Sequence, residues 1–303
     1  MNCELHKGDC LELMKELPSE SVNVILTDPP YLYLKNQKLD RPFDEQVFFS
    51  EAKRILKKDG FIVLFGRGTS FYRWNTMLAE LGFNFKEEII WNKKRTSSPL
   101  LNLNRLHETI SIHSKGKAFI NKNRVPYIES TVEIDTILSD IKRIMPILNN
   151  PAEFLDVKNY LITKKIKNRY NREHLSATVS SNISTPSPCV NTVRAIIDGK
   201  IEKDIITTVI EECTPRKKDI HPTQKPTRLL ERLLALVSKE GDLVVDPFSG
   251  SGSTAIACMN SNRKFIGFEI DDEYYQAAHN RIQTALSEKQ KEAVQTELFS
   301  EVI

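Results

Sequence analysis

The chain has 303 residues, 40% of them hydrophobic and 27% charged, which is enough for one large domain or two modest ones and ordinary for a soluble globular fold. No apolar run reaches the ~18 residues of a membrane span, and Met1-Asn2-Cys3-Glu4 lacks the basic and apolar regions of a signal peptide, so a cytoplasmic protein is expected. The five cysteines (Cys3, Cys10, Cys189, Cys213 and Cys258) are scattered, odd in number and never spaced C-x-x-C, which argues against a disulfide framework or a zinc site and for a reducing compartment.

Residues 3–6 read as a short strand closing at Gly8-Asp9. Leu11, Met14 and Leu17 then recur at helical spacing until Pro18. Val22, Val24, Ile25 and Leu26 form an apolar run, a buried strand over 22–27 that leads into Asp28-Pro29-Pro30-Tyr31. Residues 32–44 are polar and read as a loop over the strand ends. Phe48, Phe49, Ala52, Ile55 and Leu56 predict an amphipathic helix closing at Asp59-Gly60. A strand over 61–65, a helix over 72–81 and two strands over 85–91 and 109–113 follow.

From about residue 120 the pattern changes. Residues 133–145 read as a helix with Ile134, Ile137, Leu138 and Ile141 on one face, and 176–191 as a loop rich in Ser, Thr, Asn and Pro. Order returns at His221-Pro222-Thr223-Gln224-Lys225-Pro226, ahead of a helix with Leu229, Leu230, Leu233, Leu234 and Val237 on its apolar face. A strand over 243–245 leads into Asp246-Pro247-Phe248-Ser249-Gly250-Ser251-Gly252-Ser253-Thr254 and a helix through Cys258. A strand over 264–268 ends at Glu269, and a last helix runs from Glu273.

Seven strands with helices between most of them make an α/β fold. The glycine-rich turn comes late, with one further strand after it, so that remainder cannot complete a doubly wound sheet. The N-terminal strands must supply the other half, with strand 3–6 beside strand 264–268. The region of about 120–215 is then an insertion between two halves of one sheet.

Two stretches carry chemistry. Asp28 sits at the C-terminal end of a buried strand, where open α/β sheets place ligands. Pro29 and Pro30 fix the backbone of a stiff turn and leave the Pro29 carbonyl without an adjacent N–H. A carboxylate, a free carbonyl and the Tyr31 ring suit a planar group bearing an NH2, such as a nucleobase. The plainer reading is a strand-ending turn with a capping Asp. In the second stretch, strand, Gly250-x-Gly252 and helix make a nucleotide-handling turn, and Glu269 is placed to accept hydrogen bonds from two ribose hydroxyls. Because Gly250-x-Gly252-x-x-Ala255 also fits a relaxed dinucleotide fingerprint, the turn alone does not choose a cofactor.

Charge points to a polyanionic partner. Residues 93–124 hold eight basic side chains and one acid, Glu108, for +7 against +3 for the whole chain. A second cluster, Lys158, Lys164, Lys165, Lys167, Arg169 and Arg172, is interleaved with Tyr160 and Tyr170. Either cluster alone reads as a solvated face; together they suit a phosphate backbone and stacked bases.

With these residues in view, Asp28-Pro29-Pro30-Tyr31 resembles the catalytic motif of amino-group DNA methyltransferases, and Asp246-Pro247-Phe248-x-Gly250-x-Gly252 resembles their S-adenosylmethionine loop. Catalytic motif first, insertion next and cofactor loop last resembles the permuted β class of N6-adenine and N4-cytosine enzymes. His221–Pro226, Ile89–Lys93 and His107-Glu108 are similar to further segments of that class. The resemblance spans roughly 3–118 and 219–285. It implies a Rossmann-like methyltransferase with a seven-stranded, mostly parallel, circularly permuted sheet. Its parts would be a catalytic half (1–119), a target-recognition insertion (120–215), a cofactor half (216–285) and a tail (286–303). It implies S-adenosylmethionine as cofactor and a site in which Asp28, Pro29, Pro30 and Tyr31 handle a flipped base. Asp28, Asp246, Pro247, Phe248, Gly250, Gly252 and Thr254 would form the cofactor pocket, Glu269 would hold the ribose, and Asp9 and Cys10 would lie near the cofactor adenine. Thr223 and Lys225 would approach the methionine carboxylate, unless His221–Pro226 is simply a turn leading into a helix. Lys93, Lys94, Arg95, Arg105, Lys164, Lys165, Lys167 and Arg169 would contact DNA.

Asp rather than Ser before Pro-Pro points, by the same resemblance, to adenine N6 over cytosine N4. An RNA or protein-glutamine methyltransferase, a dehydrogenase and a non-catalytic DNA-binding protein of the same fold remain as alternatives. A prokaryotic or phage-infected cell and a restriction-modification setting fit the resemblance. Beyond DNA, the partners it suggests are a second copy of the chain and a sliding clamp docked by Gln295-Thr296-Glu297-Leu298-Phe299 on a mobile tail. For that peptide, packing of the last helix onto the domain is the preferred reading.

Overall fold

In the computed structural model, residues 3–31, 40–93, 106–122 and 224–300 are described, with short stretches between 124 and 211; side chains in the last helix are described to residue 289. The chain divides into two compact units, one of residues 1–121 and 207–303, the other of residues 122–206.

In the first unit, β1 (Cys3–Lys7), α1 (Cys10–Glu16), β2 (Val22–Thr27), α2 (Glu45–Ile55), β3 (Leu56–Gly66), α3 (Gly68–Glu80), β4 (Asn84–Asn92) and β5 (His107–Ser114) come from the N-terminal part. In the second unit, β6 (Arg124–Pro126) pairs antiparallel with β7 (Glu202–Asp204). The first unit resumes with β8 (Val209–Glu211), α4 (Thr227–Val237), β9 (Leu243–Asp246), α5 (Ser253–Asn260), β10 (Lys264–Glu269) and α6 (Asp272–Ser300).

One sheet runs β1-β10-β9-β2-β3-β5-β4-β8. All seven expected strands lie in it, and β1 pairs with β10 as expected, Cys3 opposite Phe265 and Lys7 opposite Glu269. The short β8, from the region read as insertion, adds an eighth strand parallel to β4. Pairing is parallel except around β5, which runs antiparallel to both β3 and β4. The joint between the two sequence halves is the β9–β2 pair, Val244 against Val24 and Val245 against Ile25. Beyond that joint the chain turns away on both sides, from β9 through α5 to β10 and from β2 through α2 to β3, which makes it the switch point of the sheet.

Val22, Val24, Ile25 and Leu26 are buried without alternation, as a central parallel strand covered on both faces requires. On one face α1, α2 and α3 close over Ile25, Ile62, Leu64 and Val245, with Phe48, Phe49 and Trp74 the largest of the side chains packed there. α4, α5 and α6 pack in succession, and Leu229, Leu230, Leu233 and Leu234 of α4 are fully buried.

One boundary differs from expectation. α2 ends at Ile55, and Leu56 already pairs with Val22, so Asp59-Gly60 does not close a helix. The amides of Glu20 and Ser21 take the carbonyls of Arg54 and Ile55 at 3.0 and 2.9 Å, which turns the chain straight from helix into strand. Residues 57–60 are absorbed as an irregularity between the Val22 and Val24 registers. Of the helix expected over 133–145, residues 138 and 141–143 are helical, with Ile141 buried, Met145 begins a short 3-10 turn (Met145–Ile147), and the other positions lie outside the described residues. The tail also differs: α6 runs through Gln295–Phe299, so that peptide is part of a helix rather than a segment following one. No described helix is long and apolar enough to cross a membrane.

Candidate active site

A cleft of ≈ 330 Å³ opens at the C-terminal ends of β9 and β2 and is lined by both motif stretches. The Asp246–Ser251 turn forms one wall and Asp28–Tyr31 another, with Asp9, Cys10 and Glu269 at the far end. The chain thus brings into one cavity two segments separated by more than half its length.

The first wall is built on Asp246, the last residue of β9. Its Oδ1 accepts the Phe248 amide at 3.2 Å and its Oδ2 the Thr254 hydroxyl at 2.6 Å, closing the loop against the first turn of α5. Gly252, at φ 72°, is the N-cap of α5 and allows that reversal. Gly267 in the neighbouring strand is equally constrained. A Cβ there would lie 2.2 Å from Ser249 Oγ and 2.5 Å from the Phe265 ring. Ser249 is itself fixed by its hydroxyl bond to the Asp246 carbonyl at 2.9 Å.

Burial pushes the Asp246 carboxyl up from 3.8 to about 6, against the pull of the hydrogen bonds from Thr254 and Phe248. Between the unfolded and folded values the native chain holds the proton more tightly. The stability it contributes is therefore greatest below the ordinary carboxylate range and is lost as pH rises through about 6. The shift corresponds to an upper bound of about 3 kcal/mol. Asp246→Asn, which cannot ionise, is expected to melt a few degrees above the parent at pH 8 in the absence of ligand and level with it at pH 4. A calorimetric difference that does not change with pH would contradict this account of Asp246.

At the far end, Glu269 Oε2 accepts the Gly250 amide at 2.9 Å and Oε1 the Asp271 amide at 2.8 Å. Burial raises its carboxyl despite these bonds. Asp9 caps α1 by accepting the Leu11 amide at 2.8 Å. Cys10 beside it is buried, and burial pushes its thiol up to about 12, so it packs rather than reacts. Arg41 reaches Asp271 at 3.2 Å across the rim of the same cleft.

This wall bears on the cofactor question left open by the glycine pattern. A pyrophosphate would need the turn's free amides. Here Phe248 N–H is given to Asp246, Ser249 N–H to the Phe268 carbonyl at 2.9 Å, Gly250 N–H to Glu269 and Gly252 N–H to the Ser249 carbonyl at 2.8 Å. Asp9, Asp28, Asp246, Glu269 and Asp271 all line the cleft. Such a set repels phosphates and suits a ligand rich in donors and carrying positive charge.

On the second wall, Tyr31 donates its hydroxyl to Asp28 Oδ1 and Lys225 its ammonium to Oδ2. The Tyr31 carbonyl accepts the Ser70 hydroxyl at 2.6 Å, and its ring lies 6.0 Å from that of Trp74. Lys225 also stands 3.4 Å from Glu108, whose other oxygen pairs with Lys93. The result is an alternating row, Asp28, Lys225, Glu108, Lys93. Burial raises the Asp28 carboxyl, with Lys225 opposing it and Glu108 adding to it. Burial would raise Glu108 as well, but Lys225 and Lys93 hold it below the ordinary value. Burial alone would lower the Lys225 ammonium; the carboxylates of Asp28 and Glu108 outweigh it and keep the lysine charged.

Most of the residues singled out in the sequence therefore meet in this cleft: Asp9, Cys10, Asp28, Pro29, Pro30, Tyr31, Lys225, Asp246, Pro247, Phe248, Gly250, Thr254 and Glu269. One placement needs correction. Lys93 is buried, 8% exposed, and tied to Glu108, so it is not a surface contact for a phosphate. Lys225 lines the cleft, where it bonds to Asp28. Thr223, Lys94, Arg95, Arg105, Lys164, Lys165, Lys167 and Arg169 lie outside the described residues. Sequence reasoning missed the partnership of Glu108 with Lys225 and the Arg41–Asp271 pair. The lone acid in a basic stretch was the available signal for Glu108. Among the described residues no group of three His, Cys, Asp or Glu side chains is placed to hold a metal ion.

The chain matches the family described as DNA methylase over residues 22–280. It is 28% identical to the type II methyltransferase M.HinfI of Haemophilus influenzae, over 91% of this chain and 67% of that protein. It is 25% identical to the type II methyltransferase M2.DpnII of Streptococcus pneumoniae, over 91% of this chain and 88% of that one. Among solved structures it resembles the complex of M1.HpyAVI with SAM, at a TM-score of 0.55 and 22% identity, covering 92% of this chain and 98% of that one.

Proposed function

The chain belongs to the N6/N4 DNA methylase family, and from that premise we propose that it transfers a methyl group from S-adenosylmethionine to N6 of an adenine flipped out of its DNA target site. The observation that carries this reading is the single cleft joining the Asp28–Tyr31 turn to the Asp246–Thr254 loop. The donor set fits the cofactor: carboxylates for ribose hydroxyls, an amino group and a cationic centre, with the amides of Phe248, Ser249, Gly250 and Gly252 already engaged. Glu269 would hold the ribose, Asp9 and Cys10 would border the adenine, and Asp246 and Phe248 would shape the pocket between. Bound S-adenosylmethionine supplies an electrophilic methyl group on a sulfonium sulfur.

The rest of the chemistry falls to this chain. The lone pair of an aromatic amino group is delocalised into its ring. Hydrogen bonds from that group to the Asp28 carboxylate and the Pro29 carbonyl favour a pyramidal nitrogen and concentrate the pair. The Asp28 charge then offsets the positive charge that develops on the nitrogen as the new N–C bond forms at the expense of the methyl–sulfur bond, until the nitrogen gives up one of its protons. Flipping a base out costs a few kcal/mol. Stacking on Tyr31, whose ring is backed by Trp74 and whose hydroxyl is fixed by Asp28, returns ~1–3 kcal/mol. Target reading is assigned to the region 120–215, supported by its basic, tyrosine-bearing cluster.

The test is methyl transfer from labelled S-adenosylmethionine to unmethylated genomic DNA, with the product nucleosides resolved by mass spectrometry. N6-methyladenine is the expected product. N4-methylcytosine would keep the mechanism and overturn the base, and no labelled nucleoside would overturn the reading.

A further inference from the structure

The proposed methyl transfer uses Asp28 as an acceptor for the target amino group, yet both its oxygens are already engaged. Oδ1 holds the Tyr31 hydroxyl, and Oδ2 holds the Lys225 ammonium, which stands where an amino group would donate. Lys225 lies within reach of a second acceptor. Glu108 Oε2 is 3.4 Å from its Nζ, and among the described residues that buried oxygen has no hydrogen-bond partner. Lys225 also lies over the Phe65 ring, 5.1 Å from its centre, a favourable place for a cation.

We propose that Lys225 is a positioning residue that holds the Asp28 carboxylate and passes to Glu108 when the target amino group takes its place. The move is short and conserves charge. Lys225 exchanges one carboxylate for another, and the alternating row keeps two cations, Lys225 and Lys93, beside two anions, Asp28 and Glu108. The arrangement answers two needs at once. A half-buried carboxylate without a cation beside it takes up a proton more readily and is then a weaker acceptor for an amino group. A cation that could not leave Oδ2 would block the same amino group. The free oxygen of Glu108 meets the second need. Lys225 enters from the segment ahead of α4, whereas Asp28 and Glu108 belong to β2's end and to β5, so the contact also fixes the two sequence halves of the domain to each other.

The charged and titratable groups facing Asp28 are Tyr31 on its own turn, Lys225 before α4, Glu108 on β5 with Lys93 behind it, and Asp246 at the end of β9. Lys225 is the cation among them that bonds Asp28 directly, and Glu108 is an anion that opposes its ionisation. Removing each should therefore move the acid side of the rate profile in opposite directions, which a loss of packing would not do.

The experiment rests on the methyl-transfer reading above. Single-turnover rates with S-adenosylmethionine and unmethylated DNA are measured across pH for the parent, Lys225→Met and Glu108→Gln. S-adenosylmethionine affinity is measured in parallel by calorimetry. The expected acid limb rises by about 1–3 units in Lys225→Met and falls in Glu108→Gln, with affinity changed by less than about threefold. Limbs that stay in place, or that move in the same direction, overturn the proposal. So does a large loss of cofactor affinity in Lys225→Met with an unmoved limb, which would return Lys225 to the methionine carboxylate. If Lys225→Met does not fold, Glu108→Gln decides alone: a lowered limb supports the exchange and an unmoved one ends it. A parent chain without methyl transfer removes the reading on which the proposal rests, whereas an active parent with unmoved limbs removes the proposal alone.

Discussion

Asp28→Ala is expected to lower kcat for methyl transfer by about 10²–10³-fold, the cost of deleting one preorganised electrostatic group at a reacting centre. Affinity for S-adenosylmethionine should stay within a few-fold, because the contacts proposed for the ribose and adenine belong to Glu269, Asp9 and Cys10 at the far end of the cleft. The substitution also leaves Lys225 with Glu108 as its remaining carboxylate, so some thermal stability is lost with it. Turnover kinetics and calorimetry on the same preparation separate the two effects. An Asp28→Ala protein with full turnover would sink the assignment of Asp28. A variant that loses cofactor binding in step with rate would mean that Asp28 belongs to the cofactor pocket rather than to the base.

Gly252→Val attacks the other wall. Gly252 adopts φ 72°, a region that costs a residue with a Cβ roughly 1–2 kcal/mol. A Cβ there would also stand 3.3 Å from Ala278 Cβ and from Ile282 Cδ1 on α6, and the two further methyls of valine have nowhere to go but into that contact or into the loop. Loop displacement would break the bonds that Asp246 and Glu269 make to Phe248, Thr254 and Gly250. Affinity for S-adenosylmethionine should fall at least about tenfold, measured by equilibrium binding. Gly82→Ala is the control. It has the same strained backbone, φ 80°, in open space far from the cleft, so it should lose stability and keep cofactor binding. Equal losses in both variants would show that backbone strain alone, rather than loop placement, governs binding.

These two walls were legible in the sequence for different reasons. Asp28-Pro29-Pro30-Tyr31 and the Asp246–Thr254 turn are local patterns that fix their own backbone, by proline in one and glycine in the other, at the ends of recognisable buried strands. The pairing of β1 with β10 followed from counting strands on either side of the glycine turn. What lay hidden depends on contacts across the fold. Lys225 is 197 positions from Asp28, and neither the spacing of His221–Pro226 nor its charge says which carboxylate it meets. Lys93 sits in a basic run and reads as surface, yet β4 and β5 bring it onto Glu108 inside the domain. Asp59-Gly60 is a strong helix stop by composition, but the pairing of Leu56 with Val22 ends α2 earlier than local propensity predicts. Tertiary contacts override local signals where they bury more surface, and here they do so at a strand end and inside the site.

A crystal structure of the chain with S-adenosylmethionine tests the central claim most directly, since it asks whether the two motif walls form one active site. The account predicts the ribose on Glu269, the adenine beside Asp9 and Cys10, and the sulfonium methyl facing the Asp28 carboxylate and the Pro29 carbonyl. A cofactor bound elsewhere, or one whose methyl points away from Asp28, would contradict it.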